Sequence, residues 1–86
     1  MQAKTFTASS TLDTASRKVI GYSVSASGAA YVIIRDGGSS GPGIIHIRFA
    51  GADSDTFYFA GAGLDFHTDV YADVQSGTVA GTVWLD

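Results

Sequence analysis

Apolar and polar residues alternate with a period of two along much of this chain, and this alternation is its strongest structural constraint. In one segment Ile20, Tyr22 and Val24 are separated by Gly21 and Ser23. Successive side chains of a β-strand point to opposite faces of a sheet, so a strand with this pattern buries one face and exposes the other. The same alternation recurs in three further segments, at 44–49, 69–74 and 78–85. The pattern predicts antiparallel strands.

Composition favours strands over helices. The 86 residues include no Glu, three Leu, two Lys and one Met, so the strong helix formers other than Ala are scarce. Against them stand seven Val, six Ile and eight Thr, whose β-branched side chains suit a pleated sheet. The composition therefore predicts an all-β fold.

Strands and core residues can be assigned from these patterns. Seven segments are predicted to form strands: 4–8, 18–26, 30–35, 44–49, 56–59, 69–74 and 78–85. The predicted core consists of their inward-facing residues: Ile20, Tyr22, Val24, Val32, Ile34, Ile45, Ile47, Phe49, Val70, Ala72, Val74, Val79, Gly81, Val83 and Leu85. We expect a single domain over residues 1–86. Its fold should be a small antiparallel β-sandwich or barrel, jelly-roll-like, of about seven to eight short strands.

Charge and hydropathy exclude several classes of partner. Five Lys and Arg residues against eight Asp give a net charge of −3, which provides no basic surface for nucleic acid. No segment approaches the roughly 20 apolar residues of a membrane helix, and the first residues lack the apolar run of a signal peptide. We therefore expect no nucleic-acid or membrane partner, and a protein made in the cytoplasm. Because the chain has no Cys, no disulfide can support the fold.

The segment 36–43 invites comparison with a phosphate-binding loop. It contains four Gly residues, but it lacks the Gly-Lys-Ser/Thr ending of a nucleotide P-loop and no helical pattern follows it. A flexible hairpin loop at the surface is the better interpretation. A second possibility is that the loop becomes ordered against a neighbouring subunit.

Two groups of side chains carry atoms that could bind a metal ion. Asp65, His67 and Asp69 would share one face of an extended strand, and Asp53 and Asp55 supply oxygens of the kind that Ca²⁺ takes. Such spacings are common by chance, and Asp53 and Asp55 lack the further ligands of a Ca²⁺-binding loop. Catalysis by paired carboxylates needs a cleft, which a small sandwich filled by its own side chains rarely has. We predict no metal, no cofactor and no enzymatic activity.

Three aromatic residues fall on strand faces opposite the predicted core. Counting by twos places Tyr58 opposite to Phe57 and Phe59, and it places Tyr71 and Trp84 on the outward faces of their strands. Either a two-layer sandwich covers these strands on both faces, or the three rings line a subunit or ligand interface. Tyr58, Tyr71 and Trp84 are thus the candidate interface residues.

The C-terminal part of the chain contains a short motif. The sequence Val-Tyr-Ala-Asp-Val at 70–74 is followed by Ser-Gly-Thr-Val at 76–79. The segment 63–83, which contains both, resembles the ending of small structural proteins of tailed bacteriophages, in which an apolar-Tyr-x-Asp-Val strand precedes a Ser-Gly-Thr-Val turn and a closing strand. The segments at 30–37 and 41–43 also resemble the middle strands of these proteins.

The resemblance implies a virion protein with no catalytic residues, assembled in the host cytoplasm. It would be a capsid decoration (cement) protein or the capsid-proximal part of a head fibre, bound to the major capsid protein or to another virion protein. We expect a homo-oligomer, because association buries further apolar surface in a small chain, and the three-fold positions of capsid lattices favour a trimer. The alternative is a small carbohydrate-binding β-sandwich module, in which Trp84 and Tyr71 stack on sugar rings beside Asp carboxylates.

Overall fold

Short β-strands make up the protein, which the computed structural model describes over residues 2–15, 17–59, 61 and 63–86. These residues form nine strands and one 3-10 helix of three residues, Gly38–Ser40. The strands are β1 (Gln2–Phe6), β2 (Ser10–Asp13), β3 (Arg17–Ala26), β4 (Ala30–Arg35), β5 (Gly43–Phe49), β6 (Asp53–Tyr58), β7 (Leu64–Phe66), β8 (Val70–Ser76) and β9 (Val79–Leu85). The predicted all-β class is confirmed.

The strands form two antiparallel sheets. Sheet A has five strands, in the order β1-β9-β3-β6, and its short β7 pairs with the beginning of β3. Sheet B has four strands, in the order β2-β8-β4-β5. The inward faces of both sheets contribute to one apolar cluster. This architecture is the antiparallel β-sandwich that the sequence predicts.

The strand pairing is nested along the chain. β4 pairs with β5, β3 with β6 and β7, β2 with β8, and β1 with β9. The chain is thus one long hairpin whose tip is the glycine-rich loop and whose two arms roll up into the sheets. This is the jelly-roll order of strands, and it places the first strand beside the last, with Gln2 opposite Leu85.

The sequence prediction misses two short strands. β2 has four residues and β7 has three, which is too few to show a clear alternation. Two predicted boundaries also differ, since β1 ends at Phe6 and β6 begins at Asp53. Asp is unfavourable in strand interiors, so the first half of β6 does not look like a strand in the sequence. Its position at the edge of sheet A accommodates the Asp residues.

The core between the sheets is apolar. Its buried members are Phe6, Leu12, Val19, Tyr22, Val24, Ala26, Ala30, Val32, Ile34, Ile45, Ile47, Phe49, Phe66, Val70, Ala72, Val79, Val83 and Leu85. In the described part of the chain, no charged or amide side chain is buried. Burial of each large apolar side chain contributes roughly 1.5–3 kcal/mol, so this cluster supplies most of the driving force for folding.

A β-bulge changes the predicted core in β3. The register between β3 and β9 shifts between Val19 and Gly21, where an extra residue of β3 interrupts the regular pairing. Val19 is fully buried as a result, whereas Ile20 is only partly buried. The prediction that Ile20 belongs to the core is therefore wrong, because counting by twos cannot detect an inserted residue.

Two other predicted core residues lie at the margin of the core. Val74 is partly buried and packs against the core cluster, next to a second shift in register between β4 and β8. Gly81 is also only partly buried. A Cβ atom at Gly81 would lie 2.5 Å from the ring of Phe6, so the missing side chain makes room for this ring. Phe6, which the alternation does not assign to the core, is buried there.

Two carboxylates hold the glycine-rich loop against the loop between β7 and β8. Asp36 accepts hydrogen bonds from three successive backbone N–H groups, at 67, 68 and 69, over 2.8, 2.8 and 3.3 Å. In return, Asp69 accepts hydrogen bonds from the backbone N–H groups at 37 and 38, over 2.8 and 2.9 Å. The N–H groups, above all that of His67, hold the pKa of the Asp36 carboxyl below its ordinary value because they stabilise the charged form.

Further hydrogen bonds close the loop itself. The Arg35 guanidinium donates to the carbonyl of Gly41 over 2.9 Å, and the Asp36 N–H donates to the carbonyl of Pro42 over 3.1 Å. Gly37 and Gly38 have positive φ angles of 106° and 77°, which few other residues adopt. The loop that the sequence predicts to be flexible is thus fixed within the monomer at both of its ends.

The first prediction concerns the face assignment in β5. Ile47→Asp should unfold the protein, because Ile47 is 2% exposed and the substitution would bury an unpaired charge. The neighbouring Arg48 is exposed and points to the other face, so Arg48→Ser should change the free energy of unfolding by less than about 1 kcal/mol. Chemical denaturation followed by circular dichroism measures both. Equal losses from the two substitutions would contradict the assignment.

The second prediction concerns the three hydrogen bonds that Asp36 accepts from the loop between β7 and β8. Asp36→Ala removes the acceptor of three hydrogen bonds and should lower the free energy of unfolding by about 1–3 kcal/mol at pH 7. The matched control is Asp65→Ala, since Asp65 makes only an exposed ion pair with Lys18 at 3.7 Å. The control should cost less than about 1 kcal/mol.

The same hydrogen bonds of Asp36 predict a dependence of stability on pH. Because folding lowers the pKa of Asp36, its stabilising effect is present above the ordinary carboxyl pKa and is lost as the pH falls through the lowered value. The difference in stability between the native protein and Asp36→Ala should therefore shrink on acidification below about pH 4. Thermal unfolding at a series of pH values measures this, and a difference that stays constant down to pH 2 would contradict it.

Candidate interaction surface

The outer face of sheet A carries a continuous area without charged side chains. On β1, β9, β6 and the part of β3 that pairs with β6, the outward residues are Ala3, Thr5, Gly21, Ser23, Ser25, Ser54, Thr56, Tyr58, Ala80, Thr82 and Trp84. Residues directly opposite in paired strands share a face, so these eleven form rows across the sheet. We call them the A face. The charged pair Lys18 and Asp65 lies beyond its last row, where β7 replaces β6 beside β3.

Tyr58 and Trp84 stack on each other at one end of the A face. Their ring centroids are 5.1 Å apart and their planes meet at 15°. Gly21 lies between them in the row, opposite both residues. A Cβ atom at Gly21 would lie 2.5 Å from the carbonyl oxygen of Phe57 and 3.0 Å from the Tyr58 ring, so the glycine makes room for the stack. Tyr58 remains 63% exposed to solvent.

Small residues, most of which carry a hydroxyl group, cover the rest of the A face. The hydroxyls of Ser23 and Thr56 share a hydrogen bond of 2.8 Å, and the Ser25 hydroxyl donates to the carbonyl of Ala80 over 3.3 Å. These hydroxyls already have partners within the sheet, so a protein surface that covers them need not replace every hydrogen bond to water.

Tyr71 lies on the opposite side of the sandwich from the other two candidate residues. It belongs to β8 in sheet B, where it pairs with Thr11 on one side and Arg35 on the other, and it is partly buried. The structure therefore brings Tyr58 and Trp84 together and separates Tyr71 from both. A carbohydrate site shared by Trp84 and Tyr71 is not formed.

The outer face of sheet B differs from the A face because its polar side chains bind one another. Arg35 and Asp73 form an ion pair of 2.7 Å, in which both side chains are largely shielded from solvent. The Tyr31 hydroxyl and Nδ1 of His46 share a hydrogen bond of 2.6 Å, and the Arg48 guanidinium lies 3.9 Å from the centre of the Tyr31 ring. This face is therefore a charged, internally bonded surface, whereas the A face is uncharged.

β6 forms an edge of sheet A with aromatic rings on both of its faces. Phe57 points to the inner side of the sheet, yet it is 49% exposed, and it contacts the rings of Tyr22 and Phe59. The hydroxyl of Tyr22, a residue of β3, donates a hydrogen bond of 3.1 Å to Asp55 of β6. Burial, together with this hydrogen bond, raises the pKa of Tyr22 to about 12. The rings of Phe57 and Tyr58 thus leave apolar surface exposed to solvent on both faces of this edge strand.

The residues considered as metal ligands do not come together. Asp65 pairs with Lys18, Asp69 accepts hydrogen bonds from the glycine-rich loop, and His67 is exposed in a bend after β7 ends. Asp53 caps the N–H of Ser54 over 2.8 Å. Among the residues that the structure describes, no group of three or more His or Asp side chains is placed to hold a metal ion.

Sequence reasoning misses the extent of the A face. Three strands have uncharged residues at successive outward positions: Ser23 and Ser25, Ser54 and Thr56, and Ala80 and Thr82. That signal is visible in the sequence, but only the strand order shows that the three faces are adjacent.

No family model, curated protein or solved structure matches this chain. The resemblance to phage structural proteins therefore stays a prediction. Within the described ranges, no helix has the length and apolar character needed to cross a membrane.

Proposed function

We propose that this chain is a non-enzymatic structural protein of a tailed-phage particle, where it acts as a capsid decoration protein or as the capsid-proximal part of a head fibre. In this proposal copies of the chain associate with one another, and the A face binds the major capsid protein or another virion protein. The assignment to a phage particle rests on the sequence resemblance. The assignment of the A face as the binding surface rests on its lack of charged side chains.

The composition of the A face supports protein binding. Charged residues make up 15% of the chain, yet none of the eleven residues of the A face is charged. The cores of protein interfaces are depleted in charge and enriched in Tyr and Trp, since these rings bury a large area at little entropic cost. The exposed Tyr58 stacked on Trp84 is the natural anchor.

The size of the A face favours binding by several copies at once. Four strands about 4.8 Å apart and three rows of outward residues about 6.8 Å apart cover roughly 350 Å². A stable interface usually buries about 800 Å² on each partner, so one copy of the A face falls short. A homo-oligomer presents several A faces to one lattice and gains affinity through multivalency, which is consistent with the expected trimer.

The carbohydrate-binding module stays the second candidate. Its supporting observation is the Tyr58 ring, which is 63% exposed and could stack on a sugar. However, no carboxylate lies on the A face beside this ring. The A face is therefore better suited to a protein surface.

The third prediction tests the A face on particles. Trp84→Ser and Tyr58→Ser should each weaken binding to capsids of the phage that encodes the chain by roughly tenfold or more, because central aromatic anchors contribute about 2 kcal/mol. Tyr71→Ser is the matched control on the opposite sheet and should change the affinity less than threefold. Co-sedimentation measures binding, and circular dichroism verifies that each variant is folded.

Two results would contradict this proposal. The first is unchanged capsid binding by folded Trp84→Ser and Tyr58→Ser. The second is an absence of capsid binding by the native protein, together with retention on a glycan array that Tyr58→Ser abolishes. The second result would favour the carbohydrate-binding alternative.

A further inference from the structure

Both edges of sheet A are open in the monomer. β1 pairs only with β9, and β6 pairs only with β3, within the ranges that the structure describes. The outward backbone N–H and C=O groups of an edge strand are a template for pairing with another chain. Each copy of this protein therefore has two such templates at the opposite sides of one sheet.

The strand directions allow the two edges to pair with each other. Neighbouring strands in the order β1-β9-β3-β6 are all antiparallel, so β1 and β6 run in opposite directions. When two copies lie side by side in the same orientation, β6 of one copy meets β1 of the next as an antiparallel neighbour. Sheet A can thus continue from one copy into the next without inverting either copy.

The charges on the two edges are complementary. Lys4 of β1 lies opposite Val83, and Asp55 of β6 lies opposite Val24, so both point to the inner side of sheet A. Among the described residues, neither side chain has an oppositely charged group within 4 Å. Tyr22 occupies one oxygen of Asp55, and the other oxygen remains free to accept a hydrogen bond.

The same charges oppose pairing of like edges. Pairing of two β6 strands would bring Asp53 and Asp55 of one copy close to the same residues of the other copy. Pairing of two β1 strands would bring two Lys4 side chains close together. Inward-pointing charges on edge strands are a common means of preventing such symmetric pairing. A β6 edge and a β1 edge are the combination in which the charges attract.

We propose that copies of this chain assemble head to tail, with β6 of one copy paired antiparallel to β1 of the next and Lys4 opposite Asp55. This inference deepens the self-association in the proposed function and rests on it. In this register Gln2 covers the exposed ring of Phe57 on the inner side. On the outer side Ala3 meets Thr56 and Thr5 meets Ser54, so the uncharged A faces of neighbouring copies join.

The symmetry of the assembly follows from the pairing. Contacts between two different edges are heterologous, and they generate a closed ring or an open filament rather than a two-fold dimer. The trimer expected from the capsid lattice is the ring of three copies. Wherever two copies pair in this way, their A faces form one continuous uncharged surface that is larger than that of a single copy.

The fourth prediction tests the pairing by reversal of charge. Lys4→Glu and Asp55→Lys should each raise the dissociation constant of the oligomer at least tenfold, because each places like charges across the interface. The double variant Lys4→Glu with Asp55→Lys restores attraction and should return to within about threefold of the native constant. Arg48→Glu makes the same change of charge on an edge of sheet B and should have no effect. Sedimentation velocity over a range of concentrations measures the mass.

Several outcomes would overturn the pairing. They are a native monomer at every concentration, a two-fold dimer as the largest species, single reversals that leave the mass unchanged, or a double variant that fails to recover. Asp55→Lys also removes a hydrogen bond to Tyr22, and the Lys4 charge also acts on Asp13 within the same chain. Thermal unfolding therefore verifies the fold of both variants. Capsid binding by Trp84→Ser remains an independent measurement, so failure of the pairing and failure of the proposed function are distinguishable.

Discussion

The structure depends on the burial of one apolar face from each of two sheets. The largest fully buried side chains in this core, Phe66, Ile34 and Ile47, are at most 2% exposed, and no charged group in the described residues enters it. A chain of 86 residues can build little more core than this, so stability is sensitive to every buried position. The polar groups act at its margins: Asp36 and Asp69 fix the tip of the nested hairpin, where no apolar side chain could.

The sequence predicts the sandwich and most of its core because alternation reports which face of a strand is buried. Alternation correctly assigns Ile45, Ile47 and Phe49 to the core in β5. It fails at Ile20, since a bulge moves one residue across the sheet without leaving a trace in the pattern. Alternation also does not show which strands are neighbours, because the strand order follows from the nested topology.

The candidate site shows the same limit. Tyr58, Tyr71 and Trp84 have equivalent positions in the alternation, yet β8 belongs to sheet B and takes Tyr71 to the other side of the molecule. The stack of Tyr58 on Trp84 needs Gly21 between them, a relation among three strands that are distant in the sequence. The uncharged A face and the oppositely charged edges that bound it are both consistent with the association through sheet A that we propose.

The most direct test of this association is backbone hydrogen exchange measured at increasing protein concentration. If sheet A continues between copies, the outward amides of β1 and β6 should become protected together as the oligomer forms, because they gain hydrogen-bonded partners. The amides at the edges of sheet B, in β2 and β5, should exchange at unchanged rates. Exchange rates of the β1 and β6 amides that do not change with protein concentration would contradict the account, and so would protection confined to β2 and β5.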